Sequence, residues 1–378
     1  MEKNSIASFS IIFSRAVYSM YWVFLSPAYI YYMQEFSLPK PFLGYISWSF
    51  IVGAAFAQMP AAYLASYKGP VKIYLIGLFL LSFSGIFSAL SFNFQMLIIS
   101  RAIAGAGAGL FFSTAGYAIS YLNQRKLGFW MGVYNAAFAI GTIVAYLYGM
   151  IYSADNWKLL TSLISAFGVL VSFADYFLMK KLDIRIEIDK SKPKITKNIK
   201  PILVAISLSG FWGSYYAAET LLPSYFALIN GSLKFGNEVT IILLIFSFIG
   251  GFFTYFYDMS RSKRLFLFIT VFLGGLGFLA LNLKETLYLG LFLIGFFDEM
   301  AFSSLYAISL QLSGEKYSAM ALSVVNFVNM ILGMWISIVF SYAMVYLPDY
   351  VWVLMFFITV LPAIPLLHRY FEPKITGE

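Results

Sequence analysis

Five ionisable side chains stand inside strongly apolar stretches of this chain: Arg15, Arg101, Glu219, Asp298 and Glu299. Within a lipid-facing helix each such group costs at least about 2.5–3.5 kcal/mol, so each must face a cavity or a partner. Carboxyls and guanidinium groups do different chemistry there. Desolvation disfavours the ionised form of a buried carboxyl, so Glu219, Asp298 and Glu299 are candidate proton carriers. A guanidinium keeps its charge and presents a planar fork of N–H donors. Arg15 is therefore a candidate for binding a carboxylate or phosphate. Arg101 can do the same or tune a nearby acid, and it is grouped here with the proton-coupling residues. The plainer reading is a fixed ion-pair network between helices, for example Arg101 with an acid.

Helical spacing adds polar neighbours. Arg15, Ser19, Trp22 and Ser26 recur at four, three and four residues and share one face. Trp212, Tyr215 and Glu219 follow the same rule. Asn326 and Asn329 share a face and can supply neutral hydrogen bonds. Arg15, Ser19, Trp22, Trp212, Tyr215, Asn326 and Asn329 form the expected solute-binding set. Asp298 and Glu299 lie about 100° apart on a helix, so the two carboxyls point to different neighbours. Asp175 falls near the end of its stretch and is set aside.

The elements that must position these residues are membrane spans. The chain has 378 residues, 61% hydrophobic and 11% charged, against about 25% charged in soluble chains. There is no Cys and one His, His368. Disulfides, thiolate chemistry and multi-His metal sites are excluded, and no metal or cofactor is expected. The first apolar stretch is too long for a signal-peptide core and reads as a retained span. A span needs about 20 apolar residues. Twelve stretches qualify, near 8–34, 41–66, 71–92, 95–121, 127–152, 157–180, 201–229, 237–258, 264–283, 286–312, 317–346 and 350–370.

Loop charges orient them. With the N-terminus inside, inner segments hold 19 of the 25 Lys and Arg and outer segments hold 4, the bias expected of cytoplasmic loops. Both termini are thus expected in the cytoplasm. The net charge of +8 is accounted for by lipid headgroups rather than nucleic acid.

The longest inner loop divides the chain into a first six-helix bundle over 1–182, a cytoplasmic linker over 183–199 and a second bundle over 200–378. Residues 183–188 of that linker alternate, as a strand or a surface-lying segment does. The halves echo each other: Leu25-Ser26-Pro27-Ala28-Tyr29 matches Leu221-Leu222-Pro223-Ser224-Tyr225, and Gly53 and Gly250 fall at similar offsets. Repeats of this kind are common among membrane carriers.

One stretch is more specific. Arg101 is followed by Gly105, Gly107 and Gly109. This resembles the fourth-helix signature of the major facilitator superfamily, and Gly105 and Gly109 make a close-packing GxxxG face. Two further stretches resemble the family in part. Leu64-Ala65-Ser66-Tyr67-Lys68-Gly69, with Lys72, is similar to the inner loop after the second helix, with Ser66 where the family has Asp. Its counterpart after the eighth span keeps an acid, Asp258, with Arg261. Lys68, Gly69, Lys72, Asp258 and Arg261 are the expected gating-loop residues. Gly132, Gly141 and Gly149 are similar to the antiporter signature of the fifth helix, but Ala145-Tyr146 replaces its Gly-Pro pair.

The resemblance implies twelve transmembrane helices in two pseudo-symmetric bundles, with helices one, four, seven and ten lining a central cavity. All five buried charges fall on those four spans. The expectation is a multi-pass plasma-membrane transporter working by alternating access, monomeric, without enzymatic activity. Proton symport of a small polar or anionic organic solute is the leading mechanism. Proton-coupled efflux of hydrophobic compounds is the alternative. A membrane-embedded enzyme or a non-transporting sensor has little support, since no nucleophile sits beside a base and no large extramembrane domain is present.

Overall fold

The computed structural model describes residues 2–123, 127–184, 186, 198–313 and 318–373. Among these there is no strand. Two compact units are present: residues 1–39 with 45–192, and residues 40–44 with 193–378. The alternating stretch 183–188 lies largely outside the described residues, as do Arg125, Lys126, Lys316 and Lys374 of the inner segments.

The first unit runs α1 (Glu2–Val23), a 3-10 turn at Ser26–Ala28, α2 (Tyr29–Glu35), α3 (Leu43–Lys68), α4 (Pro70–Ala89), α5 (Phe94–Leu122), α6 (Leu127–Gly149) and α7 (Trp157–Leu182). Its joints follow local chemistry. Gly69 adopts φ 87°, which L side chains rarely reach, and Pro70 then opens α4. The Asn93 side chain caps α5 by accepting from Met96 N at 2.8 Å. Lys180 and Lys181 sit in the last turn of α7, the end that favours cations.

The second unit runs α8 (Lys200–Asn230), α9 (Leu233–Phe253), α10 (Tyr255–Met259), α11 (Lys263–Ala280), α12 (Leu287–Ser313), α13 (Ser318–Gly333), α14 (Trp335–Tyr346) and α15 (Val351–Val360), finishing in 3-10 turns. Gly231 ends α8 at φ 70°, and Ser232 caps α9 by accepting from Phe235 N at 3.1 Å. Pro362 and Pro365 lack the N–H an α-helix needs, so the expected last span ends as a 3-10 segment, Leu361–Leu367.

Ten helical stretches among the described residues are long and apolar enough to cross a membrane. Helix α6 adds a shorter apolar run, Val133–Gly149. The remaining expected span is α8, whose 31 residues extend about 46 Å. Its apolar character is diluted by Ser207, Ser209, Ser214, Glu219 and Thr220, all buried. The two matched prolines behave differently. Pro27 breaks the first span into α1 and α2, whereas Pro223 lies inside a continuous α8, against Gly236 of α9.

Glycine builds the frame in both units. A methyl group on Gly105 would overlap the Phe50 carbonyl, and one on Gly53 the Ala102 carbonyl, so α3 and α5 touch backbone to backbone. Gly107 presses the opposite face of α5 onto α4 at Gly77 and Leu81. In the second unit Gly250 meets the Phe296 carbonyl and Gly295 the Leu243 carbonyl, joining α9 and α12 the same way.

Candidate functional site

In the first unit the cations lie among rings. Arg15 is 4% exposed. Its guanidinium carbon stands 4.7 Å from the Tyr18 ring centroid, 5.0 Å from Phe112, 4.8 Å from Tyr134 and 4.8 Å from Phe138. These rings come from α1, α5 and α6, and cation–π attraction replaces part of the lost hydration. Arg15 Nε and Nη1 are buried without a hydrogen-bond partner.

Arg101 on α5 is fully buried and lies 4.4 Å over the Phe50 ring of α3. Its Nη1 donates to the Tyr21 carbonyl at 3.5 Å, the Tyr29 hydroxyl lies within hydrogen-bonding reach, and Nε and Nη2 are otherwise unbonded. Those two nitrogens form the side-on edge of a guanidinium, the edge that takes a carboxylate or phosphate in two parallel bonds. Neither arginine makes an ion pair among the described residues. The ion-pair network weighed for Arg101 is therefore absent from them.

Trp22 bridges the two arginine sites. It packs edge-on against Phe50 at 5.0 Å and against Phe138 at 6.0 Å, and Tyr18 stacks on Phe111 at 4.5 Å. Ser19 is placed otherwise than its spacing suggests. Its hydroxyl donates to the Ala16 carbonyl at 2.8 Å and abuts Gly141, so it serves the α1–α6 contact. Gly141 and Gly149 both press onto the first span, at Ala16 and Pro27. These two glycines of the antiporter-like stretch are thus packing surfaces here.

The second unit gathers carboxyls. Glu219 on α8 and Asp298 on α12 are each 3% exposed. The charged groups acting on Asp298 are Glu299 and Glu219, with Ser247 of α9 in hydrogen-bonding reach. Tyr215 joins the same group, facing Glu219, Asp298, Ser247 and Glu299. Glu299 is half-buried, receives Ser303 Oγ at 3.3 Å and lies against Gly251. Both carboxyls meet α9, Asp298 near Ser247 and Glu299 at Gly251.

Trp212 does not join this group. It stacks on Tyr216 at 5.6 Å with an interplanar angle of 6°, and it meets Gly333 of α13. Residues 212 and 216 form one row of α8, residues 215 and 219 the adjacent row. Asn326 accepts from the Tyr306 hydroxyl at 3.1 Å, and Asn329 is fully buried with neither end of its amide bonded.

The expected gating residues sit at helix ends. Lys68 and Lys72 flank the Gly69 turn and are exposed. Ser66, in place of the family's Asp, turns its hydroxyl to the Tyr63 carbonyl of its own helix. Asp258 and Arg261 are exposed. The neighbouring Lys263 Nζ donates to the Tyr257 and Asp258 carbonyls at 2.7 and 2.9 Å. Arg264 pairs with Glu372 at 3.2 Å, and Lys263 N donates to the same carboxylate at 2.7 Å.

Several residues of these sites carry no mark in the sequence. In a chain with 40 Phe nothing singles out Phe50, Phe112 or Phe138, and Ser247 is one serine of an apolar helix. Asp175 was set aside by its position along α7, yet it is 2% exposed and accepts from Ser10 and Ser14.

Comparison with known proteins places the whole arrangement. Residues 8–337 match the family model of the Major Facilitator Superfamily. Over 101 residues the chain is 35% identical to the methylenomycin A resistance protein of Bacillus subtilis, covering 25% of this chain and 21% of that protein. Over 146 residues it is 27% identical to the galactose-proton symporter of Escherichia coli, covering 38% and 32%. These matched segments span about a third of the relatives or less. Among solved structures, a D-xylose-proton symporter superposes with TM-score 0.76 at 15% identity, covering 98% of each chain. A bacterial homologue of the human lysosomal transporter Spinster superposes with TM-score 0.75 at 13% identity, covering 97% of each. The likeness in fold runs the length of the chain, and with the family match it establishes that this multi-pass membrane protein belongs to the major facilitator superfamily.

Proposed function

We propose that the protein is a secondary active transporter of the plasma membrane that moves a small anionic organic solute by alternating access, in symport with protons. The observation that carries this reading is the segregation of the five charges on the expected cavity-lining spans, Asp175 lying apart from them. The first unit holds two guanidinium groups with unbonded N–H donors, and the second holds three grouped carboxyls with Tyr215 and Ser247. A buried cation with an empty bidentate edge suits a carboxylate or phosphate on the solute. Carboxyls close enough to repel one another share protons, the chemistry a proton carrier needs. The symporters among the relatives and neighbours support this coupling.

The test uses purified protein in proteoliposomes carrying an internal pH reporter. Sugars, monocarboxylates, dicarboxylates and phosphate esters are offered in turn. The expected result is uptake of an anionic member with internal acidification. Uptake that persists without a proton gradient and leaves internal pH unchanged would overturn the coupling. Exclusive uptake of neutral sugars would overturn the solute class.

A second reading, proton-coupled efflux of hydrophobic compounds, is favoured by the resemblance to a resistance protein and by the ring-lined surroundings of Arg15. Drug sensitivity of a deletion strain, with no uptake of any anion, separates it from the first. On either reading the fold is divided at the linker over residues 183–199, with a monomer as the working unit.

A further inference from the structure

Asp175 on α7 takes part in neither charge set. Its Oδ1 accepts from Ser10 Oγ at 2.6 Å and its Oδ2 from Ser14 Oγ at 2.7 Å. Both serines are on α1, one turn apart and on one face. No Lys or Arg pairs with Asp175 among the described residues. A buried carboxylate without a countercharge is costly, and hydroxyl donors offset only part of that cost.

A third helix supplies a further oxygen. Tyr74 of α4 is fully buried, and its hydroxyl lies within hydrogen-bonding reach of Asp175. Two carboxylate oxygens, two serine oxygens and one phenolic oxygen thus converge from α1, α4 and α7. The serine hydroxyls can turn their protons to carbonyls one turn back in α1, which leaves their lone pairs free. The donor set is entirely oxygen, the preference of hard cations. It contains one carboxylate, so one positive charge balances it, whereas a divalent ion would leave a net buried charge.

We propose that Asp175, Ser10, Ser14 and Tyr74 form a binding site for one monovalent metal cation of the sodium type. The ion joins α1, α4 and α7 and steadies the turn of α1 that carries Arg15, the residue after Ser14. This site is additional to the proton-coupling carboxyls of the second unit.

The experiment uses the full-length protein in detergent, with sodium as the probe. Thermal unfolding is followed in NaCl and in choline chloride at equal ionic strength, and binding of radioactive sodium is measured directly. The expected result is a saturable rise of the unfolding midpoint by a few degrees in sodium. Asp175→Asn should abolish both the rise and the binding. Tyr74→Phe should weaken sodium affinity by roughly tenfold with little change in the choline midpoint. Glu219→Gln, in the other unit, should retain the sodium response. Identical wild-type midpoints in sodium and choline overturn the proposal. So does a midpoint that follows pH but not sodium, which would identify a proton as the occupant. If Asp175→Asn does not fold, Ser14→Ala and Tyr74→Phe decide the matter: unchanged sodium affinity in both overturns the site.

Discussion

The two units use the same frame for opposite charges. In each, glycines press two helices into backbone contact, α3 on α5 through Gly53 and Gly105, and α9 on α12 through Gly250 and Gly295. Close to that contact the first unit carries Arg101 and the second carries Asp298 and Glu299. The first unit holds its cations over aromatic rings and leaves two N–H-bearing nitrogens of each unbonded. The second groups its carboxyls with one another and with hydroxyls. A guanidinium keeps its charge, so it needs a surface that tolerates charge and a ligand that completes its bonds. A carboxyl can be neutralised by a proton, so it can sit beside its own kind. On the proposed function the two units divide the cargo, an anion and a proton.

The strongest test of this contrast removes a carboxyl proposed to hold the proton. Asp298→Asn is expected to lower concentrative uptake by on the order of a hundredfold while solute exchange at zero gradient continues, measured in proteoliposomes. Equal loss of both would mean that Asp298 acts structurally.

Next in size is the bidentate edge of Arg101. Arg101→Lys keeps the charge and loses the fork, so the half-saturation concentration should rise by about tenfold to a hundredfold, given the worth of a charge-assisted bond. An unchanged value would remove Arg101 from solute binding. The frame itself is tested by Gly105→Ala, which must overlap the Phe50 carbonyl and should destabilise the protein by about 1–3 kcal/mol. Gly116→Ala, where the nearest atom is Tyr134 Cε1 at 3.8 Å, should fold as wild type. Equal midpoints for the two variants would refute the close contact.

Thinning the cage with Phe138→Leu should cost about 0.5–2 kcal/mol in stability or solute affinity. No effect would mean that the rings merely fill space. The smallest effect is expected at the solvent-facing Lys158–Glu35 pair, with side chains 46% and 32% exposed. Glu35→Ala should shift stability by less than about 0.5 kcal/mol, which makes it the reference for the buried charges.

Much of this was legible in the residues. Hydrophobic runs marked the spans, since a helix in lipid must be apolar along its length. Lys and Arg placement marked the loops. Arg101-x3-Gly105-x-Gly107-x-Gly109 marked the family, because only glycine permits such close helices. The five charged residues stood out because burial in lipid is expensive. Pro27 was visible too, but whether it would break its helix was not, for Pro223 in the matching place does not.

What a charge meets inside a bundle depends on rotation of each helix about its axis, and linear spacing leaves that open. Spacing grouped Ser19 with Arg15 and Trp212 with Glu219. Packing turned Ser19 to Gly141 and Trp212 to Tyr216 and Gly333. Only the tertiary structure brought Phe50, Tyr134 and Phe138 around guanidinium groups, and Ser247 to Asp298. Only it showed Asp175 facing Ser10, Ser14 and Tyr74, a meeting of three helices. The sequence by itself therefore determined which residues must be buried and in what kind of fold, because the cost of burial is a property of each side chain. Which groups face one another was decided by helix–helix packing, because contact is a property of the assembled bundle.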